Sequence, residues 1–99
     1  MKGLISDLNK AFDNKVRLGI MSVLLTKNES YFTGLKAILN VTDGNLASHL
    51  KALEKESYIE VVKQFIGRKP NTRYLVTKAG KLAFTKHLNA LEALISTQK

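Results

Sequence analysis

Cations without acidic neighbours are the residues of this sequence with the clearest capacity for chemistry. Residues 61–99 hold eight Lys and Arg against one Glu, a net charge of +7, while the whole 99-residue chain carries +8. Such a block is the electrostatic pattern of a protein that binds a polyanion, although a solvated basic face on an ordinary protein has the same composition. The cations of its acid-free stretch are Arg68, Lys69, Arg73, Lys78, Lys81 and Lys86.

A second group combines small polar residues with an apolar stripe. Leu46, Leu50 and Leu53 recur at spacings of four and three, which predicts a helix with one buried face. The residues on or beside its opposite face are Gly44, Asn45, Ser48, Lys51 and Lys55. Glycine permits a close approach of another surface, Asn can pair bidentately with adenine, and the two lysines are better placed for phosphates.

Two further residues of this helix are candidates for binding, each with an alternative. Thr42 can cap the helix, because its hydroxyl can accept hydrogen bonds from the unpaired amides of the first turn. His49 lies beside the apolar stripe. It either packs between helices or donates a hydrogen bond to a phosphate.

Catalysis, metal binding and membrane insertion are disfavoured by the residues present. The chain has no cysteine and two histidines, so we expect no disulfide and no Cys-based or His-rich metal site. It has no nucleophile motif, glycine-rich phosphate loop or evident carboxylate pair, so we expect neither an enzyme nor a cofactor. The uncharged apolar run at residues 18–26 is nine residues long, where a membrane span needs about 20. We expect one cytoplasmic domain over residues 1–99 that does not contact a membrane.

Helical periodicity dominates the first half of the chain. Apolar residues over 4–12 predict a short N-terminal helix, and Asp13 or Asn14 can cap a second helix that ends at residues 27–28. Residues 30–32 suit a short edge strand.

The next two helices are joined by a minimal connection. Thr33 is the expected N-cap of the first of them, which Asn40 ends in the left-handed conformation. The second begins at Asp43, whose charge suits the positive end of the helix dipole.

The spacing of apolar residues changes from a helical to a strand pattern in the second half of the chain. Residues 58–66 are rich in β-branched and aromatic side chains and predict a strand, residues 67–71 a turn, and residues 72–76 the returning strand. This gives a hairpin with a basic tip. Thr77 is expected to cap a last helix that runs from Lys78 to about Ser96.

This order of elements is that of a winged helix-turn-helix, and the residues themselves resemble a known group. Residues 14–18 (NKVRL), 33–39 (TGLKAIL) and above all 42–54 (TDGNLASHLKALE) look like the small winged-helix transcriptional regulators of bacteria and archaea related to the MarR and ArsR families. Residues 67–81 (GRKPNTRYLVTKAGK) are similar to that group's wing and the start of its final helix. The resemblance covers residues 14–95, and its most specific feature is the separation of the two long runs.

The resemblance implies an α+β, mainly α fold with N- and C-terminal dimerisation helices. The helix-turn-helix would span about 33–56, the two-stranded β wing about 58–76 and the C-terminal helix about 78–96. The partner copy would be held through terminal apolar residues, some of which must also be core. These residues are Leu4, Leu8, Phe12, Phe84, Leu88, Leu91 and Ile95.

The function that the resemblance implies is sequence-specific binding of double-stranded DNA by a homodimeric transcription regulator. The helix at 43–55 would enter the major groove, and the wing would contact the backbone or minor groove. Arg68, Lys69 and Arg73 are the wing candidates, against a solubilising loop tip, and Lys78 and Lys81 are further phosphate candidates, against exposed lysines of no particular role. The alternative is a winged-helix module that binds another protein, and duplex RNA or nonspecific chromosomal binding is a third possibility. Nothing in the sequence identifies a small-molecule effector.

Overall fold

The computed structural model describes residues 5–96, which form four α-helices and one three-stranded antiparallel sheet. The elements are α1 (Lys15–Lys27), β1 (Glu29–Tyr31), α2 (Phe32–Leu39), α3 (Asp43–Lys55), β2 (Ile59–Ile66), β3 (Lys69–Val76) and α4 (Lys78–Ser96). A 3-10 turn over Lys10–Phe12 precedes them. This arrangement confirms the mainly helical α+β fold, a winged helix with a β-hairpin wing.

Helix ends follow the capping chemistry expected of their side chains. The Asn14 side-chain oxygen accepts hydrogen bonds from the amides of Val16 and Arg17, at 2.8 and 3.2 Å, and so starts α1. Asn40 ends α2 with φ 53° and ψ 56°, the left-handed conformation predicted for it. Helices α2 and α3 are therefore separated by a very short turn, as a helix-turn-helix requires.

The end of α3 directs the chain into the wing. Ser57 takes φ 65° there, and its amide donates to the Glu54 carbonyl at 2.9 Å. The next amide, that of Tyr58, donates to the Leu53 carbonyl at 3.1 Å. This pair of bonds is a Schellman motif with serine at the position that glycine usually occupies, and β2 begins immediately after it.

Predicted boundaries in the N-terminal part are wrong in two places. Residues 5–12 do not form the expected helix, and Leu4 lies outside the described residues. Asn9 explains the difference: its amide donates to His87 Nδ1 at 2.9 Å and its side-chain oxygen accepts from the Ala11 amide at 2.8 Å, bonds that compete with helical ones. Thr33 is not the N-cap of α2, because the helix begins at Phe32 directly from β1, with Tyr31 at the cap position.

The wing turn is shorter than predicted. Strand β2 ends at Ile66 and β3 begins opposite it at Lys69, so two residues connect the strands and Lys69, Pro70 and Asn71 belong to β3. Gly67 has φ +65°, as the first central residue of a type II′ turn does. Strand β1 pairs with the other edge of β3, which gives the sheet the order β1-β3-β2.

The core lies where the four helices pack with the base of the sheet. Its least exposed members are Ile20, Met21, Leu24, Leu35, Leu46 and Leu53, each with no exposed surface. Within residues 5–96, no helix is both long and apolar enough to cross a membrane.

Candidate nucleic-acid interface

Helix α3 presents two different faces, as its sequence pattern predicts. Leu46, Leu50 and Leu53 are at most 1% exposed and belong to the core. On the other side the exposed residues include Gly44, Asn45, Ser48, Lys51 and Lys55. Burial of the leucines fixes the rotation of α3 about its own axis, and this keeps the small polar face directed to solvent.

The start of α3 is exposed and capped. Thr42 Oγ1 accepts a hydrogen bond from the Asn45 amide at 3.2 Å, which confirms its expected capping. Lys36 on α2 places Nζ 2.8 Å from Asp43 Oδ1. Because both side chains are largely exposed, this ion pair adds little to stability. The pair also offsets the negative charge of Asp43 at the α3 N-terminus. Lys36 was not among the residues that the sequence pattern indicated.

Gly44 has no packing reason to be glycine. A Cβ atom added to it meets nothing within 4 Å, and its φ is not positive. Glycine inside a helix costs about 0.5–1 kcal/mol relative to Ala. The fold therefore leaves this cost unexplained, whereas close approach of another molecule to the backbone would explain it.

His49 is engaged inside the chain. Arg17 Nε on α1 donates to His49 Nδ1 at 3.0 Å, and Arg17 also reaches the Ala11 carbonyl at 3.5 Å. Burial, and then the nearby Arg17 charge, lower the pKa of His49. A neutral imidazole that joins α1 to α3 supports the packing interpretation of His49 over the phosphate interpretation. The sequence pattern did not indicate Arg17 as the partner of His49.

The structure separates the three predicted wing cations. Arg68 lies in the turn and Lys69 is the first residue of β3, and both are exposed. Arg73 does not flank the turn: it is paired with Val62 and Tyr31, roughly 13 Å along the strand from Lys69. Its Nη1 is 3.4 Å from Glu29 Oε2, and its buried Nε has no hydrogen-bond partner among residues 5–96. Arg73 thus links β3 to β1.

The junction between the wing and α4 holds the other two cations. Thr77 Oγ1 accepts from the Gly80 amide at 2.9 Å, as predicted for a cap, and donates to the Ser57 carbonyl at 2.7 Å. Lys78 and Lys81 are exposed in the helix turn that follows. Neither makes an ion pair with an acid among residues 5–96.

The residues predicted for dimerisation divide into core and surface. Phe12 and Phe84 are 1% and 2% exposed, with ring centroids 5.1 Å apart in an edge-to-face arrangement, so they stabilise the single chain. Leu8 and Leu91 are half-buried and line an open cleft of about 550 Å³. Leu88 and Ile95 are exposed, and Leu4 lies outside the described part of the chain.

Metal chemistry finds no support in the geometry. Among residues 5–96, no three His, Asp or Glu side chains are grouped so that they could hold a metal ion. His87 is buried, and its Nδ1 already accepts from the Asn9 amide.

Comparisons with known proteins agree with this geometry. The family model described as Winged helix DNA-binding domain matches residues 16–95. An uncharacterized protein of Methanocaldococcus jannaschii is 37% identical over 79 residues, which are 80% of this chain and 86% of the relative.

Solved structures show the same fold. The transcriptional regulator homologue protein from Pyrococcus horikoshii OT3 superposes with a TM-score of 0.90 at 31% identity, over 100% of this chain and 99% of that one. A MarR family transcriptional regulator from Silicibacter pomeroyi has a TM-score of 0.69 at 13% identity, over 98% of this chain and 64% of its own.

Proposed function

This chain belongs to the winged helix DNA-binding domain family, and on that premise we propose that it is a transcriptional regulator that binds specific sequences of double-stranded DNA as a homodimer. Its family and fold are those of small winged-helix regulators. In the proposal, α3 enters the major groove and the wing contacts the backbone or the minor groove.

The observation that best supports this proposal is the exposed face of α3. A recognition helix contacts base edges mainly through its N-terminal residues, and the N-terminal residues of α3 are small, polar and exposed. Gly44 allows the helix backbone to approach the groove floor, since nothing in the fold occupies the space of its missing Cβ. Asn45 and Ser48 supply the donors and acceptors that direct readout of bases needs.

Cations around this face supply the affinity in the proposal. Lys51 and Lys55 follow the polar residues along α3, while Arg68 and Lys69 lie on the wing and are exposed. Lys78 and Lys81 are assigned to phosphates at the start of α4. Phosphate contacts of this kind position a protein on a duplex, and base contacts select the sequence.

The homodimer is supported by the shape of the chain and by apolar surface at its end. The radius of gyration is 15.0 Å, whereas a compact domain of this length has about 13 Å. Leu88 and Ile95 on α4 remain 42% and 64% exposed, next to the cleft lined by Leu8 and Leu91. A second copy that packs there would bury this apolar surface.

Duplex binding across a salt series tests DNA recognition. Selective enrichment of genomic fragments on the purified protein first identifies the preferred sequence. The parent is then compared with the variants Asn45→Ala and Arg68→Ala, and with Asn89→Ala as a matched control on the exposed side of α4. We expect Asn45→Ala to lose about 1–3 kcal/mol on the preferred sequence only. Arg68→Ala should weaken binding to all sequences and reduce the salt slope by about 0.9.

Two results would contradict this function. If the parent shows no duplex binding at low salt, the chain is better explained as a module that binds another protein. If Asn45→Ala weakens binding to all sequences equally, direct readout by α3 is wrong although DNA binding stands.

Sedimentation of the parent and of Leu88→Glu tests the homodimer. We expect the parent to sediment as a dimer and the variant as a folded monomer, because a charge at position 88 would be buried against the partner. Leu82→Glu is the matched control, since Leu82 is 66% exposed and lies roughly 120° from Leu88 around α4. A monomeric parent, or equal loss of the dimer in both variants, would contradict the proposed interface.

A further inference from the structure

The wing tip, residues 65–70, exposes apolar side chains where a solvated loop would be polar. Phe65 is 72% exposed and Ile66 is 63% exposed. Among residues 5–96, Phe65 is the most exposed large apolar side chain. Two adjacent exposed apolar residues at the end of a hairpin form a patch of the kind that marks an interaction site.

The hairpin holds Phe65 in a defined direction. Successive side chains of a strand alternate between faces, so Phe65 shares a face of β2 with Ile59 and Val61. Those two residues pack into the core, but Phe65 lies beyond it. Its cross-strand neighbour is Pro70, one step from the two-residue turn. Phe65 is therefore presented to solvent on a paired strand.

The charges around the tip define the partner's chemistry. Lys63, Arg68 and Lys69 are exposed beside the two apolar residues. No acid occurs between Val61 and Leu91 in the sequence. The partner must therefore combine dense negative charge with an apolar interior that a side chain can enter. Duplex DNA has both, since its phosphates line the grooves and its bases are stacked between them.

We propose that Phe65 is an apolar wedge that enters the DNA minor groove, partly unstacks one base step and bends the duplex, an inference that rests on the proposed DNA binding. Apolar side chains act in this way in proteins that bend DNA from the minor groove. Arg68 and Lys69 hold the phosphates on either side of the groove. Ile66, on the opposite face of the strand, contacts the groove wall.

A wedge and a phosphate contact differ in what they change. Removing Phe65 deletes apolar contact and the bend but no charge, whereas removing Arg68 deletes one phosphate contact. Binding of the parent, Phe65→Ala and Arg68→Ala to a short mixed-sequence duplex is measured over a salt series. Fluorophores on both duplex ends report the end-to-end distance.

For Phe65→Ala we expect affinity to fall about tenfold, which is about 1.4 kcal/mol, with an unchanged salt slope and a straight duplex. Arg68→Ala should reduce the slope by about 0.9 and retain the bend. Phe65→Leu should restore part of the bend. Leu82→Ala is the matched control, because Leu82 is similarly exposed at 66% but lies on α4; it should bind and bend like the parent. Because Phe65, Arg68 and Leu82 are all exposed, these variants should fold.

Failure of this inference can be told apart from failure of DNA binding. If the parent binds the duplex and Phe65→Ala binds and bends it equally, the wedge is wrong and DNA binding stands. Weaker binding without any change in end-to-end distance would also overturn it. If the parent does not bind the duplex, both proposals fall.

Two other partners for the tip are tested on the same variants. The parent and Phe65→Ala are also titrated with vesicles of anionic phospholipid. If Phe65→Ala loses vesicle binding but binds the duplex as the parent does, the tip is assigned to a membrane surface. Conversion of a sedimenting dimer to a monomer by Phe65→Ala would assign it to contact between copies. Either result would overturn the wedge.

Discussion

The first turns of α3 and α4 use the same kinds of residue in opposite surroundings. Each follows a threonine whose hydroxyl oxygen accepts an amide hydrogen bond, from Asn45 to Thr42 at 3.2 Å and from Gly80 to Thr77 at 2.9 Å. Thr42 is exposed, and its hydroxyl makes no second hydrogen bond among residues 5–96, whereas the Thr77 hydroxyl also donates to the Ser57 carbonyl at 2.7 Å. The same cap thus leaves the start of α3 accessible and attaches the start of α4 to the end of α3.

Glycines in the two turns show the same contrast. A Cβ added to Gly44 meets nothing within 4 Å, while one added to Gly80 would overlap the Tyr58 carbonyl oxygen. Gly80 is buried, and Gly44 is exposed. One glycine is required by packing inside the chain, and the other is free of any such requirement. The backbone at the start of α3 is therefore open to close approach by a partner, whereas the backbone at the start of α4 packs against the base of the wing.

The largest predicted effect is that of Gly80→Ala. The added methyl would overlap the Tyr58 carbonyl, which is backbone and cannot rotate away, so α4 must shift from the base of β2. We expect a loss of about 3 kcal/mol in the free energy of unfolding, at the upper end for an overpacked core. Urea unfolding followed by circular dichroism measures this loss.

Leu82→Ala is the matched control on α4, because it changes an exposed residue of the same helix. A loss for Gly80→Ala no greater than that of the control would mean that the contact of α4 with Tyr58 is not rigid. The contrast between the two glycines would then disappear.

Removal of either threonine cap should cost less stability than Gly80→Ala. Thr77→Ala removes an amide acceptor and leaves the Ser57 carbonyl without its donor, so we expect a loss of about 2 kcal/mol. Thr42→Ala removes one exposed cap and should cost about 1 kcal/mol. Thermal unfolding of both variants measures the difference. Ser is the conservative control at both positions, since it retains the hydroxyl; equal losses for the two Ala variants would show that the extra bond of Thr77 contributes nothing.

A change of opposite sign is expected for Gly44→Ala. The fold has room for the methyl, and Ala is the better helix former, so the free energy of unfolding should rise by about 0.5–1 kcal/mol. Duplex binding should weaken, because the methyl would lie between the helix backbone and the groove. Unfolding and duplex titration of the same preparation test the two effects together.

The matched control for this substitution is Ala47→Gly, which exposes backbone on the same side of α3 and should lower stability by a similar amount. Tighter or unchanged duplex binding by Gly44→Ala would contradict close approach at position 44. A loss of stability in Gly44→Ala would contradict the open space around position 44.

Local chemistry explains which features could be predicted from the sequence. The caps Thr42 and Thr77 and the left-handed Asn40 depend on neighbours within a few residues and occur as predicted. Of the two residues predicted as alternative caps of α1, the structure uses Asn14. The apolar stripe of α3 can be predicted equally well, because helical spacing alone determines which face is buried.

Features that depend on distant residues could not be predicted in this way. Asn9 donates to His87, 78 residues away, and to the Tyr58 hydroxyl at 3.0 Å, and these bonds hold residues 5–12 out of a helix. Pro70 and Asn71 predict a turn over residues 67–71, which puts Arg73 beside the wing turn. In the structure the turn is shorter, and Arg73 lies deeper in the sheet, where it pairs with β1. In both cases a tertiary contact overrides a local preference.

The smallest predicted effect concerns the two histidines, one on α3 and one on α4. Each accepts a hydrogen bond at Nδ1, His49 from Arg17 at 3.0 Å and His87 from the Asn9 amide at 2.9 Å. Burial lowers the pKa of both; the Arg17 charge also lowers that of His49, while Asp13 acts in the opposite direction on the pKa of His87. Protonation would turn each acceptor into a donor that faces another donor.

The sign of the pH effect follows from these pKa directions. The unfolded chain binds a proton at each histidine near pH 6.5, whereas the folded chain binds it only at lower pH. Stability from the two hydrogen bonds is therefore fully present above about pH 6.5 and is lost as the pH falls through the lowered pKa values. Unfolding is therefore measured between about pH 6.5 and 5, the range directly below the ordinary pKa of histidine.

Asn is the informative replacement at both positions, since its side-chain oxygen can accept in place of Nδ1 but does not titrate. We expect His49→Asn and His87→Asn each to flatten part of the acid loss and the double variant to flatten it fully, as the chain has two histidines. In duplex binding the two should separate, because only His49→Asn changes a side chain that joins α3 to α1, whereas His87 lies on α4. An acid loss in the double variant as steep as in the parent would show that neither bond to Nδ1 links protonation to folding.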